Sequence, residues 1–393
     1  MHVALVTQNA DLELDLRPRA EAQALANAGY DVTLVGGTRN QARVRELAGP
    51  TLGVATYRFP DEASSAPGQV VEQGTSFVRM TRTLMGLARR SPIDVVHASN
   101  PPDNVWLVPP SLRAAQRRPA RFVFDQHDVA PVLLTEKYGR AGVMRGLART
   151  ASLLERASFA RAALVVMANA EYQRRAERED LLRGPAVVVP NGWSLPDVEP
   201  ESRWRDGAQR LVAYVGAINE QDYVDHLVEA VALLPEDVRV CVAGEGAGRA
   251  VAERRARELG VQDRIRWLGW LYGRTEIASL VRSADVCVAP ERDTEFNRLA
   301  SLVKLAEYMS AGAAITGHRL GQTEALCGDT IEYADDESPA GLARSIQRLL
   351  DDPGRRRSLG EAAHDRFRAR IAWESVGAPA LVGAYREVFG DPR

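Results

Sequence analysis

Short β-branched and apolar runs alternate along the chain with longer stretches of helical periodicity. In the first half this pattern predicts strands near 2–7, 31–36, 94–97, 121–125, 163–168 and 186–190. Helices are predicted near 17–28, 70–90, 102–118, 140–161 and 169–182. Runs such as Ala163-Leu164-Val165-Val166-Met167 are apolar without alternation, as in a parallel-sheet strand buried on both faces. Asp31-Val32-Thr33-Leu34-Val35-Gly36 follows Gly29, a natural helix C-cap. The rhythm breaks at 193–209, where Trp193 to Ser202 is polar and Pro-punctuated and reads as a linker. It restarts with strands predicted at 211–215, 238–243, 264–268, 285–289, 313–317 and 330–333. Helices follow at 222–234, 249–258, 274–283, 299–311, 338–351, 354–370 and 374–389. The pattern predicts two doubly wound α/β domains, 1–195 and 205–372, with a C-terminal helix in 373–393 able to pack back on the first. Such sheets bind ligands beyond their C-terminal strand ends, which makes a cleft between the two domains the expected site.

Composition narrows the class. The 393 residues are 45% hydrophobic and 26% charged with a formal net charge of −2, the profile of a globular chain with ample length for two cores. No apolar run approaches the ~18 residues of a membrane span. The chain opens on a strand-like run without a basic start and long apolar stretch, so no signal peptide is expected. Cys241, Cys287 and Cys327 are widely spaced and odd in number, which fits buried thiols in a reducing compartment. The cytoplasm is the expected location. Only two lysines occur, Lys137 and Lys304, and neither follows a glycine, so there is no phosphate-binding P-loop. The halves carry charges of about +3 and −5, too balanced for a nucleic-acid binder.

The segment Pro290 to Gly312 carries the strongest chemistry: PERDTEFNRLASLVKLAEYMSAG. A strand ends at Pro290, a polar loop follows, and a helix is predicted to start near Leu299. Lys304 and Glu307 share a helix face and could form a simple i, i+3 ion pair. Their apolar surroundings call for partners. The loop and helix N-terminus could instead hold a diphosphate through backbone N–H groups, with Lys304 adding a point charge and Glu307 accepting both hydroxyls of a ribose. Gly244-Glu245-Gly246-Ala247-Gly248 is not a dinucleotide fingerprint, because its third glycine comes one place early. No Asp-x-Asp pair occurs, so no diphosphate-holding metal is expected.

The Lys-x-x-Glu-Tyr-Met-x-x-Gly pattern from Lys304 to Gly312 resembles the donor-binding region of family-4 retaining glycosyltransferases. These have two Rossmann-like domains, the GT-B fold. The resemblance implies that Glu307 binds the ribose of a nucleotide sugar, a UDP-sugar being favoured, and that Gly216, Glu245, Gly246, Leu268, Phe296, Asn297, Ser301 and Lys304 line the donor site. Many relatives carry a glutamate where this chain has Leu299. The loop after Gly216 often carries a basic residue, and residues 217–225 contain none. In the first half, His97-Ala98-Ser99-Asn100-Pro101-Pro102-Asp103 and Asp125-Gln126-His127-Asp128 resemble a bacterial subgroup of the family. The resemblance gives His127, Asp128 and Lys304 catalytic roles and puts Asp15, Arg17, Asn100 and Asp103 on the acceptor side. For Asp15, helix capping is an equal alternative. His97 fits a scaffold role better. The subgroup's Pro-Glu is here Pro131-Val132, with Glu136 a possible replacement.

The expected activity is therefore metal-independent, retaining transfer of a sugar, of hexosyl or N-acetylhexosaminyl type, to an unidentified acceptor. A lipid-linked glycan intermediate and a small metabolite both fit. No cofactor is implied beyond the donor. The alternative is a fold relative that binds a nucleotide sugar without ordinary transfer. Basic stretches at 77–90 and 137–161 read as helices packed on their own sheet or as docking to an anionic membrane.

Overall fold

The computed structural model describes residues 1–8, 11–59, 66–138, 143–205, 207 and 210–392. Asn9 and Ala10 of the first loop, the start of the helix predicted over 140–161, and linker positions 206, 208 and 209 lie outside them. The chain divides into two compact units, Met1–Pro190 with Gly377–Arg393, and Asn191–Val376.

The first unit is built on seven parallel strands: β1 (His2–Thr7), β2 (Asp31–Thr38), β3 (Gly53–Arg58), β4 (Val95–Ser99), β5 (Arg121–Gln126), β6 (Leu164–Met167) and β7 (Ala186–Val188). Their order is β3-β2-β1-β4-β5-β6-β7. β1, β4 and β6 are buried along their whole length, as their unbroken apolar runs require. The last helix, Ala378–Phe389, packs on the helix Leu16–Asn27 and on β6 and β7.

The second unit carries six parallel strands: β8 (Arg210–Val215), β9 (Val238–Ala243), β10 (Ile265–Gly269), β11 (Val286–Ala289), β12 (Ile315–Gly317) and β13 (Glu332–Tyr333). Their order is β10-β9-β8-β11-β12-β13. Two apolar clusters cover its faces, one around Leu305, Tyr308 and Met309, the other around Leu227, Val231 and Ile346. In each sheet the order reverses beside its first strand, at β1/β4 and at β8/β11. Doubly wound folds bind ligands beyond the strand ends at such a reversal.

Several elements differ from the sequence expectation. The edge strand β3 has only Tyr57 buried, so it shows no apolar run. The helices Gln41–Ala48, Ala130–Tyr138 and Gly321–Cys327 were not expected. The first buries only Val44 and Ala48, and the second begins with a proline in its first turn, a position that tolerates it. The helix predicted over 102–118 is three short turns, Val105–Leu107, Val108–Ser111 and Arg113–Gln116. The helix predicted over 299–311 is two pieces, Glu295–Leu299 and Val303–Ser310. Among the described residues, no helix is long and apolar enough to cross a membrane.

Candidate active site

In the second unit the switch point is closely knit. β8 ends in Gly216, whose φ of 155° few side chains tolerate. A Cβ there would lie 2.8 Å from Lys304 Cε and 3.2 Å from the Tyr214 hydroxyl. Gly216 thus lets the helix Val303–Ser310 close on the strand end. Gly244 approaches as closely, since a Cβ would fall 1.8 Å from the Gly216 carbonyl oxygen. The Gly244 N–H donates to the Gly269 carbonyl at 2.8 Å, and the Ile218 N–H to the Glu245 carbonyl at 3.0 Å. Gly216, Glu245, Gly246 and Leu268 are thereby brought to neighbouring strand ends. The Glu245 carboxylate pairs with Arg249.

Lys304 and Glu307 do not pair with each other; the structure replaces the i, i+3 pair with two separate ones. The Lys304 ammonium bonds to Glu291 and to the Tyr214 hydroxyl at 2.8 Å, with Asp222 at 3.6 Å. Burial alone would lower its pKa, but Glu291, Tyr214 and Asp222 outweigh that and hold it well above the usual range. Glu307 accepts from Arg274 Nη1 at 3.2 Å, and Arg274 Nη2 also reaches the Trp193 and Ser194 carbonyls at 3.1 and 3.0 Å. Burial pushes the Glu307 carboxyl up, against the pull of Arg274. Thr294 caps the helix Glu295–Leu299 through the Asn297 N–H at 3.1 Å. The Asn297 amide donates to the Gln221 and Arg292 carbonyls at 2.9 and 3.0 Å, tying the loop after β11 to the loop after β8. Phe296 beside it is half-buried, and Ser301 Oγ accepts from Asn191 at 3.3 Å.

In the first unit, Asp15 caps the helix Leu16–Asn27, accepting the Arg17 N–H at 3.3 Å. That turn sends the Arg17 side chain inward. Its Nη2 lies 2.9 Å from Asp125 Oδ1, its Nη1 2.7 Å from the Val189 carbonyl, and its Nε 3.0 Å from both His127 Nε2 and Glu21 Oε1. His127 Nε2 is in hydrogen-bond contact with Asp125 Oδ2. Burial would raise the Asp125 carboxyl, but Arg17 and His127 outweigh it and hold it well below the usual range. Asn100 fixes the following turn: its Oδ1 accepts the His127 and Asp128 N–H groups at 2.7 and 3.2 Å, and its Nδ2 donates to the Asp128 carbonyl and to Asp103 Oδ1, both at 2.8 Å. Burial, with Glu155 adding to it, pushes the Asp103 carboxyl up to about 7, and burial also raises Asp128, against the pull of His127. His97 is fully buried and bonded through Nδ1 to the Tyr385 hydroxyl at 2.8 Å. Ligand atoms of Glu21, Asp125 and His127 lie within 4.8 Å of one another, a spacing that could bridge a cation. The Arg17 guanidinium already places a positive charge among them.

Sequence reasoning did not single out Asp125, Glu21, Glu291, Tyr214 or Arg274. A signal existed for Asp125, two residues before His127, and for Glu21, one helical turn from Arg17. None existed for Arg274, 33 residues from Glu307.

The pattern described as "Glycosyl transferase 4-like domain" matches residues 17–192, and that described as "Glycosyl transferases group 1" matches residues 198–366. The chain belongs to the family-4 glycosyltransferases of GT-B fold. Among the relatives of this chain is the GDP-mannose-dependent alpha-(1-6)-phosphatidylinositol dimannoside mannosyltransferase of Mycobacterium tuberculosis, 30% identical over 206 residues, 50% of this chain and 51% of that one. Another is the D-inositol 3-phosphate glycosyltransferase of Mycolicibacterium smegmatis, 27% identical over 242 residues, 58% of this chain and 54% of that one. The chain spans about half the length of the curated relatives it matches. Its fold is shared with a sucrose-phosphate synthase from Thermosynechococcus elongatus, at a TM-score of 0.77 with 19% identity over 99% of both chains. It is shared also with HepE of Anabaena, solved with UDP and glucose, at a TM-score of 0.69 with 15% identity over 96% of both.

Proposed function

We propose that this glycosyltransferase moves a sugar from a nucleotide-sugar donor to an acceptor hydroxyl with retention at the anomeric carbon and without a metal. The observation that carries the reading is the β8/β11 switch point. There the Gly216 turn lies against the helix that presents Lys304 and Glu307. Glu307 accepts the ribose hydroxyls. Backbone N–H groups at the start of Val303–Ser310, a helix end with no side-chain cap, and the Lys304 ammonium face the diphosphate, whose negative charge grows as it leaves. In a front-face reaction the acceptor oxygen bonds to the anomeric carbon as the bond to the diphosphate breaks. The acceptor proton passes to the leaving phosphate. His127, Asp128, Asn100 and Asp103 form the acceptor-side cluster of the other unit. The reaction is cytoplasmic. Exposed Leu147 and Leu153 on the Arg-rich helix Val143–Arg161 suit a lipid-linked acceptor at an anionic membrane surface, and a small metabolite is the other acceptor class.

UDP is the favoured nucleotide, and GDP, named for the mycobacterial mannosyltransferase, is the competitor to test first. A thermal-shift series with UDP, GDP and their hexose conjugates identifies the donor, since a ligand at 100 times its Kd stabilises by about 2.7 kcal/mol. The product's anomeric configuration then tests retention. The state of Lys304, already paired with Glu291 and Asp222, favours a second reading in which the chain binds a nucleotide sugar without transfer. Stabilisation by a nucleotide sugar with no transfer to any acceptor, water included, would select it.

A further inference from the structure

The cluster beneath His127 bears on which of its ring nitrogens carries the proton. His127 Nε2 faces two groups of opposite demand. Asp125 Oδ2 is in hydrogen-bond contact and can only accept. Arg17 Nε lies 3.0 Å away and can only donate. If Asp125 takes the bond, the ring proton sits on Nε2 and the other nitrogen, Nδ1, keeps its lone pair, on a side chain that is 15% exposed. If Arg17 takes it, the proton moves to Nδ1. The guanidinium has other acceptors: Asp125 Oδ1 at 2.9 Å, Asp125 Oδ2 at 3.4 Å and the Val189 carbonyl at 2.7 Å. Asp125 is 1% exposed. The neighbouring Glu21 is a further competitor for the Arg17 Nε–H, its Oε1 3.0 Å from that nitrogen though not in hydrogen-bond geometry, and burial pushes its carboxyl well up. Asp125 thus holds the negative charge of the cluster. The main chain on both sides of the ring is pinned, the His127 N–H on Asn100 at 2.7 Å and its carbonyl on the Tyr172 hydroxyl at 3.0 Å.

We propose that Asp125, oriented by Arg17, is a positioning residue that holds the proton of His127 on Nε2 and leaves Nδ1 as a hydrogen-bond acceptor for a substrate hydroxyl. This rests on the glycosyltransferase reading only for the identity of the hydroxyl. The tautomer is a property of the resting protein. A carboxylate hydrogen-bonded to a histidine ring fixes its tautomer in this way, and an amide in its place reverses it.

The test is the nitrogen spectrum of the full-length chain labelled with 15N-histidine, without substrate. A His127→Asn sample identifies the His127 signals among those of the six histidines. The expected wild-type result is a protonated Nε2 and an unprotonated Nδ1 near neutral pH. In Asp125→Asn the side-chain NH₂ turns toward Nε2 and the proton appears on Nδ1. Turnover falls roughly tenfold, the value of one lost hydrogen bond to the substrate, with the donor KM nearly unchanged. Arg17→Lys removes the competing Nε–H, keeps the charge and retains the wild-type tautomer. A wild-type ring protonated on Nδ1 overturns the proposal, as does an Asp125→Asn variant with its proton still on Nε2. If Asp125→Asn does not fold, the wild-type spectrum alone decides. A correct tautomer in a chain that transfers no sugar would sink the functional reading and leave this one standing.

Discussion

Replacing Lys304 by alanine tests how the switch point of the second unit is built. The ammonium is 8% exposed and its partner Glu291 is 1% exposed. Asp222, 15% exposed, stands 3.6 Å away. Removing the lysine leaves Glu291 buried without its cation, and breaking a buried pair in this way costs about 3–5 kcal/mol. That far exceeds the ~0.5 kcal/mol of an exposed helix pair. The unit spans Asn191–Val376. For a domain of that size, about 2–4 °C per kcal/mol puts the fall in its melting temperature at roughly 6–20 °C. Lys304→Met with Glu291→Gln removes both charges and should recover most of the loss. A double-mutant cycle read by urea unfolding should give a coupling of about 2–3 kcal/mol. Coupling below about 0.5 kcal/mol would refute the buried-pair description. Donor affinity in the recovered double variant separates the second role: a folded, stable protein that no longer binds the nucleotide sugar requires Lys304 at the diphosphate as well.

Glu307→Ala should weaken nucleotide-sugar binding by about 1.5–3 kcal/mol, the value of hydrogen bonds to a charged group; calorimetric titration showing unchanged affinity in a folded variant moves the ribose site elsewhere. Asp103 has its folded pKa raised to about 7 against about 3.9 when unfolded. Its contribution is therefore fully present below pH ~4 and is lost as pH rises through ~7, on the order of 4 kcal/mol at most. Asp103→Asn should flatten the melting temperature over that window, and an unchanged pH profile would contradict the burial assigned to it. Transfer should persist in excess chelator; abolition with rescue by manganese or magnesium would show that a metal holds the diphosphate.

The strands were legible where burial on both faces leaves an unbroken apolar run, as in β1, β6 and β11. β3 escaped because an edge strand need not be apolar, and its Gly53, Ala55 and Thr56 are only partly buried or exposed. The split at Ala300–Leu302 escaped because Leu299, Leu302 and Leu305 keep a helix-like spacing across it; the break shows only in backbone geometry, the Ala300 ψ of 136°. At the site, the residues that end strands were readable because topology sends them to one edge. Their partners were not. Lys304 meets Glu291 across 13 positions and Glu307 meets Arg274 across 33, and only the packing of separate loops chooses between such pairs and the i, i+3 pair that spacing suggests.

Those partners change what the basic residues can do. In the sequence alone Lys304, Arg17 and Arg274 are simply cations without assigned partners. In the structure each holds a buried or half-buried carboxylate: Glu291, Asp125 and Glu307. Arg175 likewise holds Glu155. A diphosphate at the β8/β11 strand ends, as proposed, would meet Lys304 and Arg274 with their charge already balanced, and the charged residues of 217–225 are all acidic. Net attraction must then come from neutral donors, the backbone N–H groups of the β8 and β11 loops, or from an ion pair that reorganises. The pairs differ in how readily they could do so. Arg274 is 35% exposed and has two carbonyls to retain it if the ribose takes Glu307, whereas Lys304 and Glu291 are sealed. On this argument the Arg274–Glu307 pair is the one that would open to the proposed donor, while Lys304 would face the diphosphate without leaving Glu291.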